Sequence, residues 1–248
     1  MNWPSEAFWK MSKKAFLNWS SGKDAMLALH RLKSRDDSAV DLLLTTLNTT
    51  YKRISMHGVR QDLLQQQADA LHIPLKKIFM GSDIGLQTYN ELMGRCVEEL
   101  ADQGYAQSVF GDILLEDLKS YRRRQLRPLG IEPVFPLWKE DTSSLAKEFI
   151  DFGYKAMVVC VNAAVLDRSF CGRLFDKNFL NDLPEDVDPC GENGEFHTFV
   201  FDGPLFEKPI DFEVGETLSR NYVPSQTDAD CFTEERSWDT DFWFTDLK

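Results

Sequence analysis

The chain has 248 residues, 43% of them hydrophobic and 27% charged, which are the proportions of a globular protein with one large or two small domains. No apolar run approaches the roughly 20 residues that span a bilayer, and the N-terminus lacks the apolar centre of a signal peptide, so we expect a cytoplasmic protein without a membrane partner. The net charge of −12 disfavours nucleic acid as a partner, because non-specific binding to it rests on cationic contacts to phosphates.

Strand-like and helix-like stretches alternate along the first half of the chain. The apolar run AFLNW (15–19) precedes apolar residues at helical spacing, and further strand patterns follow in AVDLLLTTL (39–47), PLKKIFMG (74–81) and AQSVFGD (106–112). Strands that alternate with helices form βαβ units around a parallel sheet with helices on both faces. The pattern therefore predicts an α/β domain over residues 1–127.

After Pro128 the pattern changes. LGIEPVFPLW (129–138) carries two prolines and is interpreted as a crossing segment, and a helix capped by Thr142 or Ser143 is expected next. A strand, a second helix ended by Pro184, and two further strands follow. These elements predict a smaller α+β domain over residues 128–248, which ends in an acidic, aromatic tail without a strong period.

The cysteines do not form a recognisable framework. An odd number at irregular spacing, without a CxxC pair, argues against a disulfide scaffold or a zinc site. We expect reduced and mostly buried thiols at Cys96, Cys160, Cys171, Cys190 and Cys231.

Three polar stretches fall at predicted strand ends, where parallel sheets bind their ligands. They are SSGKD (20–24), TLNTT (46–50) and GD (111–112). The one basic cluster, SYRRRQLRP (120–128), would place Arg123 and Arg127 on one helix face. That face is either solvated or binds a phosphate or an acid.

SSGKD does not fit the P-loop pattern G-x-x-x-x-G-K-[ST], because position 17 is Leu and Asp24 stands where Ser or Thr should be. The chemistry of anion binding is nevertheless present. A helix N-terminus offers unpaired N–H groups and a partial positive charge, Gly22 permits close approach, and Lys23 adds a full charge. The alternative is that Ser20 or Ser21 only caps the helix.

SSGKDA resembles the S-G-G-K-D-S loop of the N-type ATP pyrophosphatases, the PP-loop enzymes. SMHGVR, FGDI and DPCGENGEFHTFVFDGPLF resemble, more narrowly, the diphthine–ammonia ligase family. The resemblance runs from about Lys14 to Phe206, and the pattern is similar to the family's bacterial-type relatives.

The resemblance implies a HUP-type ATP-binding domain followed by a small domain that completes the acceptor site. It implies an ATP-dependent ligase: an acceptor carboxylate is adenylated, pyrophosphate leaves, and ammonia or an amine displaces AMP. Mg²⁺ would offset phosphate charge, and Asp24 would either bind it or orient the loop. No amidase site is apparent, so free ammonia is the expected nitrogen donor, and the acceptor is a small molecule or a modified side chain. The oligomeric state stays open, a homodimer included.

The matching positions supply the candidate site residues. Those expected at the nucleotide are Ser20, Ser21, Gly22, Lys23, Asp24, Leu47, Asn48, His57, Gly111 and Asp112. Those expected at the acceptor are Glu192, Asn193, Glu195, His197 and Thr198. The catalytic candidates are Lys23, Asp24, Glu195 and His197, where Glu195 orders the amine or accepts its proton. Asp112 could instead cap the helix that follows it.

Three positions depart from the family pattern. Ser21 often corresponds to Gly; a positive φ there would cost Ser about 1–2 kcal/mol, so we expect a conformation that Ser accepts readily. Ala25 removes a hydroxyl from the loop. His197 replaces a carboxylate, which puts a diphthine substrate in doubt.

Two alternative functions remain open at this point. The hydroxyl missing at Ala25 would suit a nucleotide-binding sensor with little turnover. A tRNA-modifying PP-loop enzyme is the other alternative, and the acidic charge together with the absence of a cysteine pair disfavours it.

Overall fold

The computed structural model describes residues 13–34, 38–54, 57–81, 84–222 and 240–248. Its helices are α1 (Lys23–Lys33), α2 (Gln61–Ala70), α3 (Leu86–Asp102), α4 (Glu116–Leu126), α5 (Thr142–Asp151) and α6 (Lys177–Asp182). Its strands are β1 (Lys13–Asn18), β2 (Ser38–Asn48), β3 (Leu75–Met80), β4 (Gln107–Val109), β5 (Glu132–Val134), β6 (Lys155–Asn162), β7 (Phe196–Asp202), β8 (Val214–Tyr222) and β9 (Thr240–Leu247).

The first five strands form a parallel sheet in the order β3-β2-β1-β4-β5. Successive residues of β1 point to opposite faces. Ala15 and Leu17 therefore join the apolar cluster that α1 and α2 cover, whereas Phe16 joins the one that α3 covers. Helices on both faces confirm the predicted HUP-type α/β fold.

The prediction of a crossing segment at 129–138 is wrong in part. Glu132–Val134 pairs in parallel with β4 as the fifth strand, so the first sheet extends beyond residue 127. Pro133 does not prevent this, because β5 lies at the sheet edge, where a missing N–H donor is tolerated.

The second sheet is antiparallel, with the order β7-β6-β9-β8. It confirms the smaller α+β unit, but β9 comes from the tail for which no element was predicted. Phe242, Thr245 and Leu247 of this strand are buried, and aromatic and acidic residues mix too closely for a clear alternation. The tail therefore supplies an inner strand of the sheet.

A single apolar cluster joins the two sheets. It contains Met26 and Leu29 of α1 together with Phe199 and Val200 of β7, all nearly inaccessible to solvent. The backbone N–H of Val200 also donates to the carbonyl of Ser21 at 3.0 Å. The outer edge of β7 thus packs against the loop that links β1 to α1.

Smaller features differ from, or agree with, the expectations. Asp141, rather than Thr142 or Ser143, caps α5 by accepting the N–H of Ser144 at 2.8 Å. The four cysteines in the described part of the chain are buried and free, as predicted, and Cys231 lies outside it. Within the described ranges, no helix has the length and apolar character needed to cross a bilayer.

Candidate functional site at the loop after β1

Ser21 adopts a left-handed backbone conformation, with φ of 72°. The expectation of a conformation that Ser accepts readily is therefore wrong. The surroundings impose the geometry: the Ser21 carbonyl accepts from the N–H of Val200 at 3.0 Å and from Nε2 of Gln67 at 3.1 Å. The Ser21 hydroxyl is buried and has no hydrogen-bond partner among the described residues. This side chain faces the protein interior.

Lys23 also turns inward. It is only 3% exposed, and its ammonium donates to both carboxylate oxygens of Asp24, at 2.9 and 2.8 Å, and to the carbonyl of Cys190. Its backbone N–H donates to Oγ1 of Thr198 at 3.0 Å. Burial lowers the pKa of the Lys23 ammonium, but Asp24, Cys190 and Glu192 together outweigh burial and leave this pKa above its ordinary value. The charged side chain and the backbone of Lys23 therefore link the two domains by hydrogen bonds.

A cavity of about 260 Å³ opens on the other side of the loop, at the carboxyl end of the parallel sheet. Its walls come from three strand ends, from the first residues of α1, and from α3 and α4. The loop contributes Ser20, α1 contributes Asp24 and Ala25, and β2 contributes Leu44, Thr45 and Thr46. A helix N-terminus and a hydroxyl thus face a cavity at the position where parallel sheets bind ligands.

The tip of β4 lies very close to the start of α1. A Cβ at Gly111 would lie 2.8 Å from the carbonyl carbon of Asp24 and 2.9 Å from the nitrogen of Ala25. Only glycine fits there without displacing backbone. The next residue, Asp112, pairs with Nε of Arg122 at 2.9 Å, and both side chains line the cavity. Asp112 does not cap α4, whose N-cap residue is Leu115.

Glu192 reaches the cavity from the second domain. Its Oε1 accepts the N–H groups of Ile113 and Leu114, each at 2.9 Å, and thereby holds the segment after β4. Burial raises the pKa of the Glu192 carboxyl to about 7, although these two N–H groups oppose the shift. A residue predicted for the acceptor thus lines the same cavity as Ser20 and Asp24, which were predicted for the nucleotide.

Three residues predicted to contact the nucleotide are not among the residues that line the cavity. β2 extends beyond the end of β1, because Leu44 is already opposite Asn18, so the cavity wall falls at Leu44–Thr46. Leu47 is buried in the core. Asn48 holds a turn by accepting from the N–H groups of Thr50 and Tyr51.

The third of these residues, His57, stacks on His197 with ring centroids 4.5 Å apart. Its Cε1 would also be 3.1 Å from a Cβ at Gly22, so it packs behind the loop. Burial is the main cause that lowers the pKa of both rings, His57 to about 4. Both imidazoles are therefore neutral near pH 7 and belong to the packed domain interface.

Glu195 is occupied within its own loop. Its carboxylate accepts from the N–H of Asp188 at 3.2 Å, and from the N–H and side-chain amide of Asn193 at 2.9 and 3.0 Å. The expectation that Glu195 and His197 face one cleft depended on strand alternation, but β7 begins only at Phe196. Glu195 and Asn193 order the loop that delivers Glu192 to the cavity.

Comparisons with known proteins fit this two-part arrangement. Residues 12–133 match the diphthamide synthase N-terminal domain, and residues 141–247 match the diphthamide synthase C-terminal domain. The chain belongs to the diphthamide synthase family. The two matched segments meet at the loop, the cavity and Glu192, so the candidate site is built from both family domains.

Among curated relatives, the diphthine–ammonia ligase of Danio rerio is 29% identical over 80% of this chain and 80% of its own length. The Homo sapiens diphthine–ammonia ligase is 27% identical over 68% of this chain and 67% of its own length. A solved structure titled as a predicted subunit of tRNA methyltransferase from Methanocaldococcus jannaschii covers 59% of this chain and 78% of its own, with 17% identity. Its TM-score of 0.41 is too low to add to the fold described above.

Sequence reasoning missed several cavity residues of this diphthamide synthase family member. Asn18 ends β1 and donates to Oγ of Ser108 and to the carbonyl of Val109, both at 2.9 Å. Tyr89 and Met93 come from α3, and Arg122 comes from α4. Asn18 and Thr45 could have been found, because they are polar residues at strand ends. Tyr89 and Met93 carry no such signal, whereas Arg122 lies in the basic cluster 120–128, for which Arg123 and Arg127 were the expected binding face.

A magnesium site was tested against the same residues. Among the described residues, no group of three or more His, Cys, Asp or Glu side chains could hold a metal ion. Both carboxylate oxygens of Asp24 are bonded to Lys23. The described donors do not fit a metal site of their own, and the chemistry below uses none.

Proposed function

We propose that this member of the diphthamide synthase family is an ATP-dependent ligase that uses the cavity as its nucleotide site. The observation that carries the proposal is the cavity itself, which joins the N-terminus of α1, the Ser20 hydroxyl and the Gly111 tip at the carboxyl end of a parallel sheet. The family relatives named diphthine–ammonia ligase support an amide-forming reaction. ATP supplies the activation of an acceptor carboxylate by cleavage between its α and β phosphates.

The residues of the chain then have the following roles. The start of α1 directs its partial positive charge at phosphate oxygens, and Ser20 donates a hydrogen bond to them. Lys23 acts through the scaffold, because its ammonium holds Asp24 and Cys190 together rather than facing the cavity. Glu192 keeps the segment after β4 in place. Ammonia or an amine displaces AMP from the activated acceptor.

The inward orientation of Lys23 favours a second candidate function. A loop whose only lysine is held inside the domain interface suits a nucleotide-binding protein with little turnover. The two candidates bind the same nucleotide and differ in whether acceptor-dependent AMP appears.

The test is a product analysis with ATP labelled in its α and γ phosphates, ammonium and a panel of metabolite carboxylates. The ligase should yield AMP and pyrophosphate, with an amide formed in equal amount. ADP and phosphate as main products would contradict the ligase, and tight ATP binding without AMP would favour the second candidate.

A pair of glycine variants ties the activity to the cavity. Gly111→Ala pushes a methyl group into the start of α1 and should abolish ATP binding. Gly81→Ala is the control, because its Cβ would make only an ordinary contact, at 3.4 Å from Ile84. Thermal unfolding of both variants checks that they fold, and equal ATP affinity in the two would place the nucleotide elsewhere.

A further inference from the structure

A second, smaller chamber of about 60 Å³ adjoins the cavity between α3 and α4. The two spaces share Asn18, Tyr89, Met93, Phe110 and Arg122 in their walls. The inner wall of the chamber is apolar, and the hydroxyl of Tyr121 donates to Asn90 at its side. Ligand sites combine an apolar wall with a few polar groups in this way.

A glycine in the middle of α3 keeps this chamber open. Gly94 costs the helix about 1 kcal/mol relative to Ala, yet a Cβ at this position would meet no atom within 4 Å. Its φ is not left-handed, so the backbone does not require glycine either. The missing side chain at position 94 therefore leaves room for the chamber, whose wall Gly94 lines.

Arg122 stands at the junction of the two spaces. Its Nε donates to Asp112 at 2.9 Å, and its guanidinium lies over the ring of Phe110 at 4.3 Å. Among the described residues, Asp112 is the ion-pair partner of Arg122, and only Nε donates to it at hydrogen-bond distance. A guanidinium fixed from behind presents a planar pair of donors that matches a carboxylate.

We infer that the chamber between α3 and α4 is the acceptor subsite, and that it takes a carboxylate on a short apolar chain. The carboxylate lies on Arg122 at the edge of the nucleotide cavity, and the apolar end lies against Gly94. Calling this ligand the acceptor rests on the proposed function, but the binding of a carboxylate in the chamber does not depend on ATP. The chamber places the acceptor in the first domain, away from Glu195, which is hydrogen-bonded within its own loop, and from His197, which stacks on His57 at the domain interface.

The experiment uses straight-chain monocarboxylates from acetate to octanoate as probes. Saturation-transfer NMR on the full chain measures their binding, with and without a non-cleavable ATP analogue. We expect the affinity to rise with chain length and then fall when the chamber is full. Gly94→Leu fills the chamber and should lower the affinity of the best probe at least 10-fold. Thr88→Leu is the matched control, because it adds the same side chain at an exposed position of α3.

A loss of probe binding in these variants would not result from unfolding. Replacing a mid-helix glycine should raise thermal stability, and Gly94→Ala provides a graded second variant with a smaller loss of probe binding. Arg122→Gln should weaken the binding of every carboxylate probe. It should leave the binding of butanol, which has no carboxylate, unchanged.

Two results would overturn the inference: no member of the series binds the wild-type chain, or Gly94→Leu binds the probes as well as Thr88→Leu does. Calorimetry with ATP on the same samples separates the two proposals. Probe binding without ATP binding would contradict the proposed function and leave the subsite standing.

Discussion

The two sides of the loop after β1 differ sharply. On the interface side, Ser21 and Lys23 are buried and tied to Val200, Thr198 and Cys190 of the second domain. On the cavity side, Ser20 and the start of α1 border open space. One five-residue sequence thus performs two tasks, and the residue types do not reveal which. The lysine, the most obvious phosphate ligand, serves the interface.

Residues on the interface side should therefore control stability, and residues on the cavity side should control ligand affinity. We expect the largest loss of stability from the substitution Lys23→Met. Removing the buried ammonium leaves Asp24 uncompensated; because 33% of the Asp24 side chain is exposed at the cavity, the free energy of unfolding should fall by about 3 kcal/mol, the lower end of the range for a broken buried ion pair. Urea unfolding measures this. An unchanged urea midpoint together with a 10-fold or greater loss of ATP affinity would instead show that Lys23 contacts the phosphates.

Glu192 lies where the two sides meet, and Glu192→Gln tests its burial. The folded-state pKa is about 7, above the ordinary 4.5, so between these values the folded chain holds a proton that the unfolded chain has lost. The stability of the wild type should therefore fall as pH rises from 4.5 to 7, by on the order of 3 kcal/mol.

The glutamine variant keeps an acceptor for Ile113 and Leu114 but cannot ionise, so this part of the pH dependence should vanish. Unfolding curves between pH 4.5 and 8 provide the measurement. Parallel curves for the wild type and the variant would show that the Glu192 carboxyl is not buried as described.

Ser21→Gly should stabilise the chain. Glycine adopts φ near 72° freely, and the change removes a buried hydroxyl without a partner among the described residues. We expect a gain of about 1 kcal/mol, measured by thermal unfolding, with ATP affinity unchanged. A loss of stability would mean that the hydroxyl makes a contact that outweighs the backbone strain.

The smallest effect on stability should come from Ser20→Ala, within about 0.5 kcal/mol. Loss of a hydroxyl donor to a charged phosphate should nevertheless weaken ATP binding roughly 10-fold. Ser34→Ala, at the opposite end of α1, is the control and should leave calorimetric affinity intact. Equal affinity in both variants would remove Ser20 from the nucleotide site.

Local patterns could predict the parallel sheet, the loop at its carboxyl end and the importance of Gly111. They could not predict the direction of Lys23, because that depends on Cys190 and Thr198, which come from a distant part of the chain. Nor could they place Gly94, which looks like an ordinary weak point in a helix until the chamber beside it is seen. β9 was missed because its pairing partners, rather than its own alternation, make it a strand.

The contact at Gly111 also has a mechanical consequence. Because there is no clearance between Gly111 and α1, and because Glu192 holds Ile113 and Leu114, we expect these three segments to move as one rigid unit. These segments form part of the rim of the cavity, and we expect this rim to open only by rotation of one domain against the other, on the microsecond-to-millisecond timescale. Relaxation-dispersion NMR should then give the amides of Gly111, Ile113 and Ala25 one common exchange rate, and separate rates would mean that the rim moves piece by piece.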